Sequence, residues 1–339
     1  MQNQAVQSNV KPETKTPLDA LSKLLEHDMQ QVNTLITENM QSNVPLIPKL
    51  AEYLISAGGK RIRPLLTLAT AQMCDSPMDK VYPLAAAVEF IHTATLLHDD
   101  VVDESHERRG KKAANLVFGN QASVLVGDFL FSKSFQMMVQ SESLDVLNIL
   151  SEASATIAQG EVLQLITTND IETSMDNYLE VIKSKTAALF SAACEVAPLL
   201  AGQDVDTVRA YHNYGLNLGI AFQMIDDALD YAADQKQLGK EIGDDFKEGK
   251  MTAPVIYALE HANDEERTFW QRTLSYKKQE SGDLEHALQL ITKHNTLEQT
   301  IDSAKHYAQA AEQSLHQLPA SEIKSLLSDL TDFIITRNF

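Results

Sequence analysis

Two cysteines and one tryptophan are all that the 339 residues contain of either, and basic residues are scarce, with 28 Lys and Arg against 47 Asp and Glu. Each shortage excludes something. Cys74 and Cys194 cannot by themselves build a cysteine zinc site or a disulfide framework, so a reducing compartment is the simpler expectation. A formal net charge of −19 denies the chain the basic face that nucleic acid or anionic lipid needs. No apolar run reaches the ~18 residues of a membrane span. The best stretch, Tyr82 to Leu97, is interrupted by Glu89 and His92. Met1 to Pro17 is polar, has no apolar signal-peptide core and reads as a disordered tail. A cytoplasmic protein is expected.

What is present is helical periodicity. Leu21, Leu24, Leu25, Val32 and Ile36 mark one apolar stripe; Val88, Ile91 and Thr95, then Val124, Leu125 and Phe129, then Leu326, Leu327 and Leu330 mark others. Gly58-Gly59, Pro64, Pro77, Gly110, Gly202, Gly239 and Gly243 fall between stripes as breakers. No stretch shows the alternation and Asn-Gly turns of a sheet, and no linker divides the chain. The expected fold is all-α: one domain over residues 18–339, a bundle of about ten or more helices.

Two acidic clusters share one pattern. Asp99-Asp100-Val101-Val102-Asp103 and Asp226-Asp227-Ala228-Leu229-Asp230 each follow an apolar stretch with DDxxD. On a helix such spacing crowds like charges, which a cation would relieve. Oxygen-only donors suit Mg²⁺, which keeps several waters and joins carboxylates to substrate phosphates. A solvated acidic patch is the plainer explanation of any one cluster. Two in one chain are expected by chance only on the order of 0.01 times. Asp244-Asp245 reads as loop charge with a supporting part at most.

The few cations are clustered too. Gly58-Gly59-Lys60-Arg61-Ile62-Arg63-Pro64 sets three of them behind two glycines, where backbone and guanidinium can approach an anion. It is not a P-loop, which needs a longer glycine-to-lysine spacing. Arg108-Arg109-Gly110 follows Asp103 closely, Lys185-Thr186 pairs a cation with a hydroxyl, and Lys240 and Lys250 each follow a glycine. The segment from Ala233 to Lys250 reads as a mobile lid. Paired acids with scattered cations describe a site for two phosphate-bearing substrates, one bridged by metal and one held directly.

These residues resemble the trans-isoprenyl diphosphate synthases, and within them the bacterial long-chain polyprenyl members. The likeness runs from about residue 20 to the C-terminus through GGKRIRP (58–64), IHTATLLHDDVVDESHERRG (91–110), GEVLQL (160–165), KT (185–186) and FQMIDDALD with the following GK and EGK (222–250). The resemblance implies a helical bundle around a central active-site cavity. It implies a homodimer that condenses isopentenyl diphosphate onto an allylic diphosphate such as farnesyl diphosphate, giving an octaprenyl or nonaprenyl product for a respiratory quinone. On that likeness Asp99, Asp100, Asp103, Asp226, Asp227 and Asp230 hold Mg²⁺. Lys60, Arg63, His92 and Arg109 bind isopentenyl diphosphate. Arg108, Lys185, Thr186, Gln223, Lys240 and Lys250 serve the allylic diphosphate, Thr186 and Gln223 also steadying the cation. Glu161 and Gln164 stand where short-chain relatives often carry Gln and Asp, and are assigned no role. Without the resemblance His92, alone on an apolar face, would read as a core histidine.

A class I terpene cyclase would share the fold and DDxxD but would lack GGKRIRP and RRG. A non-catalytic subunit of a heteromeric synthase would have eroded clusters. An acidic helical scaffold accounts for the charge but not for the ordered cations. Product length turns on what lies before Asp99. Thr95 and Ala94 are small where relatives making short products often place aromatics, and Ile91 lies one turn further back. From Tyr82 to Asp99 a helix spans roughly 25 Å, room for several isoprene units. Phe131, Phe135 and Met138 are candidate floor residues. Ala94→Phe is expected to shorten the product on thin-layer analysis; an unchanged length would remove these residues from the tunnel.

Overall fold

The computed structural model describes residues 16–56, 58–108, 110–232 and 242–336. In chain order they form α1 (Pro17–Leu24), α2 (Glu26–Asn39), α3 (Leu46–Ser56), α4 (Ile62–Met73) and α5 (Met78–Val102). A minimal ribbon of β1 (Glu107–Arg108) and β2 (Lys111–Lys112) leads to α6 (Ala114–Phe118), α7 (Asn120–Val139), α8 (Leu144–Thr167) and α9 (Met175–Ile182). A π-helical turn, Lys183–Ala187, runs into α10 (Ala188–Leu200), followed by α11 (Val205–Asp230). Then come α12 (Asp244–Glu248), α13 (Ala253–Glu260), α14 (Asp264–Trp270), a second π turn (Gln271–Ser275), α15 (Asp283–Lys293), α16 (Thr296–Leu315) and α17 (Glu322–Thr336). No helix among the described residues is long and apolar enough to cross a membrane.

The all-α expectation holds, with one departure. Glu107 pairs with Lys112 and Arg108 with Lys111 across a turn at Gly110, whose φ of 74° suits glycine. At two residues per strand the ribbon is too short to show as alternation. The polar tail also ends earlier than expected, because Pro17 already opens α1. Thr16 caps that helix, its Oγ1 accepting from the Asp19 amide at 3.2 Å while the Asp19 carboxylate accepts from the Thr16 amide at 3.0 Å. Residues 1–15 lie outside the described residues.

Helix α5 is apolar on nearly every side, with Leu84, Ala85, Ala86, Ala87, Val88, Phe90 and Ile91 fully buried. A helix without a polar face belongs in the middle. It packs against α2, α4, α7 and α10 in the larger apolar cluster, and a second cluster joins α9, α11 and α13 to α16. The stripe at Val124, Leu125 and Phe129 is not core as its periodicity suggests. Helix α7 turns Ala122, Val126 and Leu130 inward instead and leaves Leu125 67% exposed.

Two glycines let helices close onto the π turn that precedes α10. A Cβ on Gly160 of α8 would lie 2.7 Å from the Lys185 amide nitrogen, and one on Gly219 of α11 would lie 2.7 Å from the Ala187 Cα. Both obstacles are backbone and cannot swing aside. Gly219→Ala is therefore expected to destabilise the protein by about 1–3 kcal/mol through overpacking, against the ~1 kcal/mol that alanine gains in an open helix. Urea denaturation reads the sign, and a rise in stability would show that the contact is slack.

Candidate active site

The acidic clusters occupy corresponding places. Asp99 and Asp100 lie in the last turn of α5 with Asp103 as its C-cap, and Asp226, Asp227 and Asp230 end α11. The C-terminal end of a helix is already the negative end of its dipole, so carboxylates there are doubly disfavoured and a cation doubly favoured. Lys250 links the end of α5 to α12. Its Nζ lies 3.0 Å from Asp103 Oδ2 and 2.5 Å from Glu248 Oε2, and it is electrostatically linked to Asp245. Burial would lower its pKa, but Asp103, Asp245 and Glu248 outweigh burial and raise it. Lys185, inside the π turn, reaches Glu161 Oε2 at 2.7 Å and Asp99 Oδ2 at 3.7 Å.

Each DDxxD is divided by helix geometry. Asp99 and Asp103, four apart, share the face toward Lys185 and Lys250. Asp100, 1% exposed, turns instead to Arg108, whose Nε donates to Oδ1 at 2.6 Å. In the second cluster Asp227 is the inward member: Tyr178 donates to its Oδ2 at 2.6 Å and Gln223 Nε2 to its Oδ1 at 2.8 Å. Thr186 Oγ1 in turn donates to Gln223 Oε1 at 2.8 Å. These residues line an open cavity with Gln164, Lys185, Asp245 and Lys250.

Burial raises the Asp99, Asp100 and Glu161 carboxyl groups above the ordinary range, against the pull of Lys185 and Arg108. Asp227 is pushed up to about 7, by burial first and then by Asp226 and Asp230, although Tyr178 and Gln223 bond to it. Asp245 is raised well above the carboxylate range by burial, Asp230 and Asp227. So many desolvated acids of one sign suit a divalent cation bound through oxygen. Among the described residues no three His, Cys, Asp or Glu side chains converge closely enough to cage an ion unaided.

The residues expected around a second diphosphate are less gathered. Arg63 stacks its guanidinium 4.4 Å from the Phe190 ring centroid, and Lys60 is exposed. His92 is half-buried two turns before Asp99, accepting at its carbonyl from Thr95 Oγ1 at 2.9 Å. Arg109 and Lys240 lie outside the described residues. On the far side of α5 a second cavity, lined by Tyr53, Arg61, Glu89, Thr93, Asp100 and Arg108 among others, takes Arg61, paired to Glu89 at 3.1 Å. Ile91 and Ala94 are fully buried and Thr95 shares the Asp99 face; Met138 is buried, whereas Phe135 is 37% exposed and so sits poorly as a tunnel floor.

Four residues escaped the sequence reading. Glu161 was assigned no role, yet it pairs with Lys185. Asp245, taken for loop charge, donates its amide to Asp230 Oδ2 at 3.1 Å from the first turn of α12. The expected lid is, in its second half, that short helix, pinned by Phe246 at 1% exposure against Trp270; residues 233–241 lie outside the described residues. Arg61 reads in the sequence only as one of three clustered cations with no role of its own, and Tyr178 carries no local signal.

The Polyprenyl synthetase family model matches residues 44–291. Octaprenyl diphosphate synthase of Escherichia coli is 44% identical over 323 residues, covering 95% of this chain and 99% of that protein. The crystal structure of a decaprenyl diphosphate synthase from Rhodobacter capsulatus superposes with TM-score 0.92 at 50% identity, covering 95% of this chain and 99% of that one. That of a polyprenyl synthase from Caulobacter crescentus, complexed with calcium and isoprenyl diphosphate, superposes with TM-score 0.91 at 49% identity over 96% of this chain and 99% of that one. The clusters ending α5 and α11 are therefore those of a member of the polyprenyl synthetase family, to which this chain belongs.

Proposed function

We propose that the chain is a trans-prenyltransferase that adds isopentenyl diphosphate units to an allylic diphosphate such as farnesyl diphosphate. Its product in this reading is a long all-trans polyprenyl diphosphate, octaprenyl or nonaprenyl, made in the cytoplasm for a quinone side chain. The observation that carries the reading is Lys250, which pairs with Asp103 at the acidic end of α5 and lines one cavity with Lys185, Thr186, Gln223 and Asp227 of α11. The octaprenyl and decaprenyl names of the relatives support a long product.

Asp99, Asp103, Asp226 and Asp230 hold Mg²⁺, with Asp100 and Asp227 behind them against Arg108 and Tyr178. Bound Mg²⁺ supplies positive charge against the leaving diphosphate. Lys185 and Lys250, with Arg108 and Lys240, add fixed cations around the same allylic group. Lys60, Arg63, His92 and Arg109 hold isopentenyl diphosphate so that its double bond faces the breaking bond. Thr186 and Gln223 present neutral oxygens to the developing allylic cation. No protein nucleophile is needed, and the released diphosphate takes the final proton. Ile91, Ala94 and Thr95 border the path of the growing chain.

The partner is a second copy of the chain. Helices α7 and α8 leave Leu125, Val139, Val162, Leu165 and Ile166 between 58% and 69% exposed, more apolar surface than a lone soluble molecule usually shows. Leu125→Glu is expected to shift the protein from dimer to monomer in analytical ultracentrifugation; a wild-type monomer would overturn the dimer.

The activity is tested by incubating the purified chain with radiolabelled isopentenyl diphosphate, farnesyl diphosphate and Mg²⁺. A long apolar diphosphate is expected, abolished by a chelator and reduced about 10²-fold or more in Lys250→Gln. Absence of incorporation, or release of a cyclic hydrocarbon, would overturn it.

A further inference from the structure

We infer that Tyr178 is a positioning residue that sets the orientation of the Gln223 amide and, through it, of the Thr186 hydroxyl. The inference rests on the prenyltransferase reading above. Tyr178 is the one residue of the chain of bonds that no sequence motif announces, and its ring is held by packing rather than by polar contacts. Ser174 caps α9, accepting from the Asn177 amide at 3.2 Å, and the Tyr178 ring lies in the second apolar cluster beside Ile182, Ile220 and Met224. Only 3% of Tyr178 is exposed, so its hydroxyl has one place to go.

That place is Asp227 Oδ2, at 2.6 Å. Tyr178 donates there, and Gln223 turns its NH₂ to the other oxygen, at 2.8 Å. The direction then propagates. With its nitrogen committed to Asp227, Gln223 aims its carbonyl at Thr186, whose Oγ1 donates to it at 2.8 Å. Thr186 has spent its hydrogen and keeps lone pairs free. Both Gln223 and Thr186 line the cavity with Lys185 and Lys250, so the two nearest neutral groups present oxygen, not N–H, to that space. Preorganised oxygen dipoles favour a cation forming there, whereas a reversed amide would oppose it.

Removing the hydroxyl leaves Asp227 Oδ2 buried without a donor, lets the carboxylate turn and frees the Gln223 amide to reverse. Tyr178→Phe keeps the ring and deletes only that bond. It is expected to lower kcat about 10- to 100-fold. KM for both diphosphates and the Mg²⁺ half-saturation should stay within about twofold, because the loss falls on the transition state. Combined with Thr186→Val, the double variant should lose less than the product of the two single losses, since both act through Gln223. Asp227→Asn, which offers an NH₂ to one of its two donors, reads the same link should Tyr178→Phe fold poorly, and should lower kcat with the Mg²⁺ half-saturation unchanged. A kcat within twofold of wild type for Tyr178→Phe, fully multiplicative losses, or a large rise in Mg²⁺ half-saturation for either variant would overturn the inference. Wild-type enzyme in the same assay separates this failure from failure of the activity itself, since incorporation without dependence on Tyr178 sinks only the positioning role.

Discussion

Repulsion among carboxylates, concentrated where water is scarce, is the constraint around which the molecule is arranged. The ends of α5 and α11 bring Asp99, Asp100, Asp103, Asp226, Asp227 and Asp230 to two helix C-termini, the end of each helix that is already negative. Asp245 joins them from α12. Left alone, such a group would spread the helices or take up protons; the carboxyl groups at Asp99, Asp227 and Asp245 are raised by burial first and by their acidic neighbours after it. The fold answers with a small number of cations placed where the charge is densest: Arg108 on Asp100, Lys185 between Asp99 and Glu161, and Lys250 on Asp103. A residual excess of negative charge remains at the two helix ends.

Placing those cations needs unusual backbone. Lys185 and Thr186 sit in a π turn, an expanded turn often found at functional sites, and Gly160 and Gly219 remove the side chains that would otherwise keep α8 and α11 away from it. Close helix approach thus converts a lysine and a threonine that are adjacent in sequence into two different functions. One faces the carboxylates of α5 and α8, the other faces Gln223 of α11. Apolar α5 serves as the rigid post, its length running back from Asp99 through Thr95, Ala94 and Ile91 into the larger core.

Much of this was legible in the sequence because the chemistry is carried by local patterns. Helical periodicity conveyed the fold class, and a repeated DDxxD with a few clustered cations conveyed the family. Where periodicity misled, the reason is physical. Val124 and Leu125 repeat like core residues yet lie on the exposed face of α7, and periodicity alone does not say which face of a helix turns inward. Asp245 looked like loop charge because its neighbour in space, Asp230, is fifteen positions away across residues with no regular pattern.

Residue types and spacing alone determined that this is an acidic helical protein with two DDxxD carboxylate sets and a few clustered cations. Those properties depend on near neighbours along the chain, and three- and four-residue helical spacing is enough to fix them. Only tertiary structure decided that Asp99 and Asp103 face Lys185 and Lys250 while Asp100 turns to Arg108 and Asp227 to Tyr178 and Gln223, and that Glu161 and Asp245 lie beside the same groups. Such assignments depend on how α5, α8, α9 and α11 are rotated against one another. That rotation is set by the packing of the whole core and by the glycines that let it close, and it leaves no mark on any single stretch of sequence.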